Sequence, residues 1–270
     1  MLIFHPHILR RWARSAVPLP LRMLVYLSEK YYMFYALALL AEILGTVSGF
    51  GSSILFVPLA AFFFDFHEVL GITALFHVFS NISKIFLFRK GMDRSIVQFM
   101  GLPAVGFVLL GALLSRFAPV KELELMLSVF MVVVSTLLLT GYQDRIQASR
   151  KNLLIGGSLS GFVAGLIGTG GAIRGITLSA FNIGKESFIS TSAAIDFGVD
   201  GSRLLVYLYN GFVRKEFLTM IPLLILISIA GTWGGKFILS FLSEKTFRRI
   251  VLGLILSLAL FQIIQYALRY

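Results

Sequence analysis

The sequence predicts an all-α polytopic membrane protein, with about eight transmembrane helices in two internally duplicated four-span halves, each opening with a glycine-broken helix. Three observations carry this prediction. The chain is 57% hydrophobic and 14% charged, against roughly a quarter charged in a soluble domain. Several of its apolar runs reach the ~20 residues that cross a bilayer as a helix. Landmarks also return at a near-constant offset: Gly49 and Gly51 fall 119 residues before Gly168 and Gly170, Pro103 falls 119 before Pro222, and Gly111 falls 120 before Gly231. Matching landmarks at one spacing are the mark of an internal repeat.

Taken in order, residues 1–30 read as a basic amphipathic segment lying on the membrane surface. Arg10, Arg11, Arg14 and Arg22 mix with apolar residues there, interrupted by Pro18 and Pro20. No signal peptide is recognised, because the first long apolar run begins only near Tyr31 and no small-residue cleavage site precedes it. The first helix is therefore expected to stay as an anchor. His5 and His7 are too few ligands for a metal.

The first repeat is expected over residues 31–142. Its opening element, 31–64, is broken at 45–53, where Gly45, Gly49, Gly51, Ser52 and Ser53 cluster. An acidic turn at 65–68 leads to a span at 69–88, a basic loop at 89–94, and further spans at 96–114 and 123–142. A polar linker, 143–152, precedes the second repeat, 153–270. Residues 153–181 form an apolar run that would be about 44 Å long as straight helix. It holds Gly168, Gly170, Gly171 and Arg174, and each interior glycine costs about 1 kcal/mol relative to alanine. Two helical pieces meeting at a glycine break are expected instead. Such a break exposes backbone N–H groups and a positive dipole end, which suits an anion.

If each broken element crosses the membrane once, the N-terminus, residues 89–94, 143–151 and 210–216, and the C-terminus share one side. That side holds Arg89, Lys90, Arg94, Arg145, Arg150, Lys151, Arg214 and Lys215, and is cytoplasmic by the positive-inside rule. Lys245, Arg248 and Arg249 fall on the other side. Full hairpins at the breaks would give ten segments and blur this bias. The same rule accounts for the net charge of +11, and no basic domain is present to bind nucleic acid. Cysteine is absent, which excludes disulfides and thiolate chemistry. No nucleotide fingerprint, catalytic triad or metal-spaced cluster appears. The chain is read as a non-enzyme without cofactors, and oligomeric state has no signature in the sequence.

Ionisable residues at membrane depth are costly and face a cavity or one another. In the span 69–88, Thr73, His77, Ser80, Asn81 and Lys84 recur at steps of three and four and share a face. Ser192, Asp196, Asp200 and Arg203 do the same in the second half. Lys84 and Arg203 sit near helix ends, where snorkelling is the alternative. Asp200 and Arg203 are placed to neutralise each other. Asp196 is a candidate for proton coupling. Glu42 has no local cation, so it either carries protons or pairs with a basic residue elsewhere. His77 titrates in the range that proton coupling needs, and a hydrogen-bonded packing role is equally open to it.

The duplicated Gly-rich break, short apolar helix and Thr/Ser-bearing helix resemble the TauE/SafE family of sulfite exporters. The resemblance covers most of residues 38–268 and is best at 161–171, followed by Ser190, Thr191 and Ser192. Ser52 and Ser53 stand where the family continues with glycines, and Arg174, Asp196 and Asp200 depart from its apolar pattern. The resemblance implies export of sulfite, a sulfonate or a related small anion across the bacterial inner membrane.

The expected site is a midplane meeting of the two breaks. Backbone at Gly49, Gly51, Ser52 and Ser53 and at Gly168, Thr169, Gly170 and Gly171 would contact the anion. Arg174 would supply charge, with Thr191 and Ser192 nearby. Glu42, His77, Asn81, Lys84, Asp196, Asp200 and Arg203 form the polar stripes. The competing class is a non-transporting scaffold or assembly factor, in which the stripes are interhelical hydrogen bonds.

Overall fold

The computed structural model describes residues 29–88, 91–239 and 244–269. The basic segment expected at 1–30 lies outside them except for its last two residues, as do Arg89 and Lys90. Among the described residues there are ten α-helices and no strand. They are α1 (Glu29–Ser48), α2 (Ser53–Ala60), α3 (Phe66–Leu87), α4 (Arg94–Ser115, including a π-helical turn), α5 (Val120–Leu139), α6 (Arg150–Ile167), α7 (Gly171–Ser179), α8 (Lys185–Tyr209), α9 (Ile221–Leu239) and α10 (Glu244–Arg269). Six stretches, in α1, α3, α4, α5, α9 and α10, are long and apolar enough to cross a bilayer. The central helix α8 is longer than most of these, but Asp196, Asp200 and Arg203 lower its apolarity.

Local chemistry sets the breaks. Helix α6 ends where Gly168 turns left-handed at φ +83° and its N–H closes on the Ala164 carbonyl, a backbone state that only glycine enters without strain. Gly49 and Gly51 do the same after α1, at φ +74° and +82°. Asp65 and Glu68 form a capping box that starts α3 afresh. In α4 the π turn at Val97–Gly101 precedes Pro103, whose missing N–H breaks the regular ladder.

Both broken elements fold back as hairpins. Phe34, in the second turn of α1, packs against Phe56 of α2 and against Phe63 and Phe64 beyond it. Gly156, near the start of α6, faces Thr177 of α7. This corrects the expectation that each crosses once. Helix α2 has eight residues, about 12 Å of rise, and it returns the chain to the end where α1 began.

The loops sort accordingly. At one end, His67 Nε2 contacts the Ser115 carbonyl at 3.0 Å, Arg214 pairs with Glu68, and Phe64 meets Phe217. At the other, the Asp93 N–H donates to Thr191, Arg150 lies over Phe99, and Lys236 donates to the Leu87 carbonyl. Residues 210–216 therefore lie opposite 94 and 143–150, so among the described residues the basic loops expected on one side by single crossings fall at both ends. Helices α1 and α6 enter from opposite ends, and each half repeats the order long, short, long, long, long in the opposite direction.

The halves interlock. Helix α1 packs on α9, α4 on α6, α3 on α8, and α5 on α10. On α6, Gly157, Gly161 and Gly165 meet the carbonyls of Met100, Ala104 and Val108 in α4. Small residues at this spacing let membrane helices touch backbone to backbone. A Cβ at Gly161 would collide with the Ala104 backbone. Gly161→Val is accordingly expected to destabilise the protein by about 3 kcal/mol, read as a lower melting temperature in detergent. An unchanged melt would mean that this contact is loose.

Candidate functional site

The two hairpin tips, residues 49–53 and 168–174, meet between the ends of the bundle. Ser53 Oγ and Thr169 Oγ1 lie 3.1 Å apart. The Phe50 carbonyl presses on Gly171, and Gly51 leaves room for Arg174 and Asp196 beside it. Helices α2 and α7 both start here, so two positive dipole ends border one cavity. Helices α3 and α8 supply the walls, joined by Asn81 Nδ2 donating to Asp200 at 2.7 Å.

Three buried ion pairs surround the cavity. Lys84 Nζ lies 2.7 Å from Glu42. Arg174 forks onto both carboxylate oxygens of Asp196 and donates its Nε–H to Ser192 at 2.8 Å. Arg203 pairs with Asp200 at 2.7 Å. It also donates to the Ala164 and Gly168 carbonyls at 2.8 and 2.7 Å, at the negative end of α6. Neither Lys84 nor Arg203 snorkels: they are 5% and 1% exposed. Arg203 Nε is buried with no partner. Tyr207, one turn on, donates to the Gly165 carbonyl at 2.6 Å.

Glu42 is the most heavily bonded group. Its Oε1 faces Lys84, Ser80 Oγ (2.6 Å), Thr232 Oγ1 (3.0 Å) and Thr46 Oγ1 (3.3 Å). Its Oε2 lies 2.6 Å from Ser52 Oγ. Ser52 Oγ is in turn 2.8 Å from His77 Nε2, and His77 Nδ1 is 2.7 Å from the Thr73 carbonyl. The cation sought for Glu42 is thus Lys84, from the polar stripe of α3.

Most of the sequence-predicted residues are brought together. Gly51, Ser52, Ser53, His77, Asn81, Lys84, Gly168, Gly170, Gly171, Asp196, Asp200 and Arg203 line the cavity. Gly49 and Ser192 line a second one adjoining it on the side of Phe188 and Ile189. Thr191 is not at the site, since its hydroxyl accepts from the Asp93 N–H and ties α8 to the start of α4. Arg174 has each nitrogen of its guanidinium engaged, by Ser192 and by both oxygens of Asp196. The cavity is closed to roughly the space of one water. Thr46, Thr232 and Tyr207 were not anticipated. Thr46 and Tyr207 stand four residues after Glu42 and Arg203, a spacing that points to them, whereas Thr232 lies 190 residues from Glu42 and has no local signal.

A family model described as sulfite exporter TauE/SafE matches residues 34–261. No curated protein and no solved structure matches the chain.

Proposed function

Because the chain belongs to the TauE/SafE sulfite exporter family, we propose that it is a secondary transporter exporting a small sulfur oxyanion, such as sulfite or a sulfonate, across the bacterial inner membrane. One observation carries the reading: two antiparallel hairpin tips meet at a buried cavity, each with a helix N-terminus, beside Arg174, Arg203 and Lys84. Irregular backbone inside a membrane bundle is tolerated where it lines a cavity, and broken helices of this kind bind ions in transporters.

In this reading eight long helices and two short ones arise from an inverted duplication, supported by the constant offset in sequence and by the opposed order of elements. The bound anion replaces Asp196 on Arg174, and the free Arg203 Nε–H supplies a further donor. Opening alternates as one half rocks against the other around the tips. Asp196, His77 and Glu42 are the candidates for proton coupling. Both termini are assigned to the cytoplasm, which Arg10, Arg11, Arg14 and Arg22 favour.

The test is flux in proteoliposomes under an imposed pH gradient, comparing sulfite, methanesulfonate, sulfate and chloride. Gradient-dependent flux of one sulfur oxyanion is expected, with uptake by inside-out membrane vesicles, as export requires. Folded protein that moves none of the four would overturn the reading and favour a scaffold.

A further inference from the structure

The hydrogen bonds between Glu42 and His77 fix a proton count. The Thr73 carbonyl can only accept, so His77 Nδ1 carries a hydrogen. The contacts Nε2–Oγ and Oγ–Oε2, at 2.8 and 2.6 Å, each need one hydrogen more, and the Ser52 hydroxyl supplies just one. The second sits on His77 Nε2, giving an imidazolium facing a carboxylate, or on Glu42 Oε2, giving a neutral imidazole and a carboxylic acid. Glu42 Oε1 is ruled out as its place, since that oxygen already faces the Lys84 ammonium and three hydroxyls. The line is therefore fully hydrogen-bonded only when it holds one proton beyond a neutral histidine, a serine and a carboxylate. Turning the Ser52 hydroxyl passes that proton from one end to the other with no heavy atom moving.

We propose that Glu42, Ser52 and His77 form a proton site that loads a single proton together with the anion. Its role in transport rests on the function proposed above, while the proton count stands without it. With Lys84 paired to Glu42, the loaded line and Lys84 together carry one positive charge, and the unloaded set carries none. Ser52, His77 and Lys84 all border the anion cavity, so each ligand favours the other, reciprocally.

The other charged groups bearing on the line come from every side. Lys84 lies on α3, and Arg203 of α8 acts on His77. Arg203 is paired with Asp200, and beyond it Asp196 is paired with Arg174 of α7. Helix α9 contributes only the neutral Thr232 here, because its Lys236 is turned to the Leu87 carbonyl, and α2 carries no titratable side chain. The three cations have three carboxylate partners, so the added proton of the Glu42–Ser52–His77 line changes the local charge by one.

The experiment is proton uptake by the purified protein in weakly buffered detergent solution on adding methanesulfonate, which has no proton of its own to exchange near neutral pH. Uptake of about one proton per bound anion is expected, with anion affinity falling as pH rises. Glu42→Gln and Ser52→Ala should abolish the uptake; Ser52→Ala keeps both titrating groups and removes only their link. Binding without uptake, or uptake that survives both substitutions, overturns the proposal. If neither methanesulfonate nor sulfite binds, the transport reading fails, and the line is judged by nitrogen NMR of the His77 ring in the wild type. A ring whose titration moves on Ser52→Ala supports the shared proton, and one indifferent to that change overturns it.

Discussion

Arg174→Gln is expected to abolish anion flux, by about a hundredfold or more. Two charge-assisted hydrogen bonds of about 1.5 kcal/mol each amount to roughly 3 kcal/mol, and each 1.4 kcal/mol is tenfold in affinity. In the structure those two bonds go to Asp196, while Nε holds Ser192. The anion is proposed to take the place of Asp196, so the same fork serves both occupants in turn. Arg174→Lys keeps the charge but loses the planar fork, and should recover only part of the flux. Asp196→Asn empties the competing carboxylate and should tighten anion binding while weakening release. The measurement is flux at matched protein density, with a melting curve to show that each variant is folded. Flux unchanged in Arg174→Gln would remove this arginine from the site.

Arg203→Leu is expected to lower stability by about 3–5 kcal/mol, the usual cost of removing one partner from a buried ion pair. The side chains of Arg203 and Asp200 are 2% and 6% exposed, so solvent screens little of the loss. The substitution also takes the donor from the Ala164 and Gly168 carbonyls, loosening the turn from which α7 starts. The readout is the SDS concentration at half-unfolding. Adding Asp200→Asn should recover part of the loss, because the stranded charge goes with it. A single variant as stable as wild type would mean that the α6 terminus is satisfied another way.

The sequence and the structure agree most where the physics is local. Apolar runs announced the helices, and glycines the breaks, because an isolated left-handed residue inside an apolar stretch needs glycine. The Asp200–Arg203 pair was readable from spacing alone. Pairs formed between elements were not: Glu42 meets Lys84, and Arg174 meets Asp196, through a fold that no window of residues contains. Direction at the breaks was equally hidden. A glycine turn serves a helix that continues and one that doubles back, and the short lengths of α2 and α7 became decisive only once their boundaries were known. The side assignment inherited that ambiguity. Thr191 was grouped with the site through its neighbour Ser192, but adjacent helical residues point about 100° apart, and its hydroxyl faces the start of α4 instead.

The exchange of neighbours between the halves, α1 with α9 and α4 with α6, has a consequence for biosynthesis. Glu42 and its Thr232 partner are separated by 190 residues. At about 5–20 residues per second of synthesis, roughly 10–40 s pass before that contact can form. Until then a carboxylate in α1 has at most Lys84 and nearby hydroxyls to hold it, and the face that will receive Gly231 and Gly235 is open to lipid. The nascent first half is thus a stage at which membrane quality control can sample an unfinished polar surface, and the arrival of α9 brings that exposure to an end.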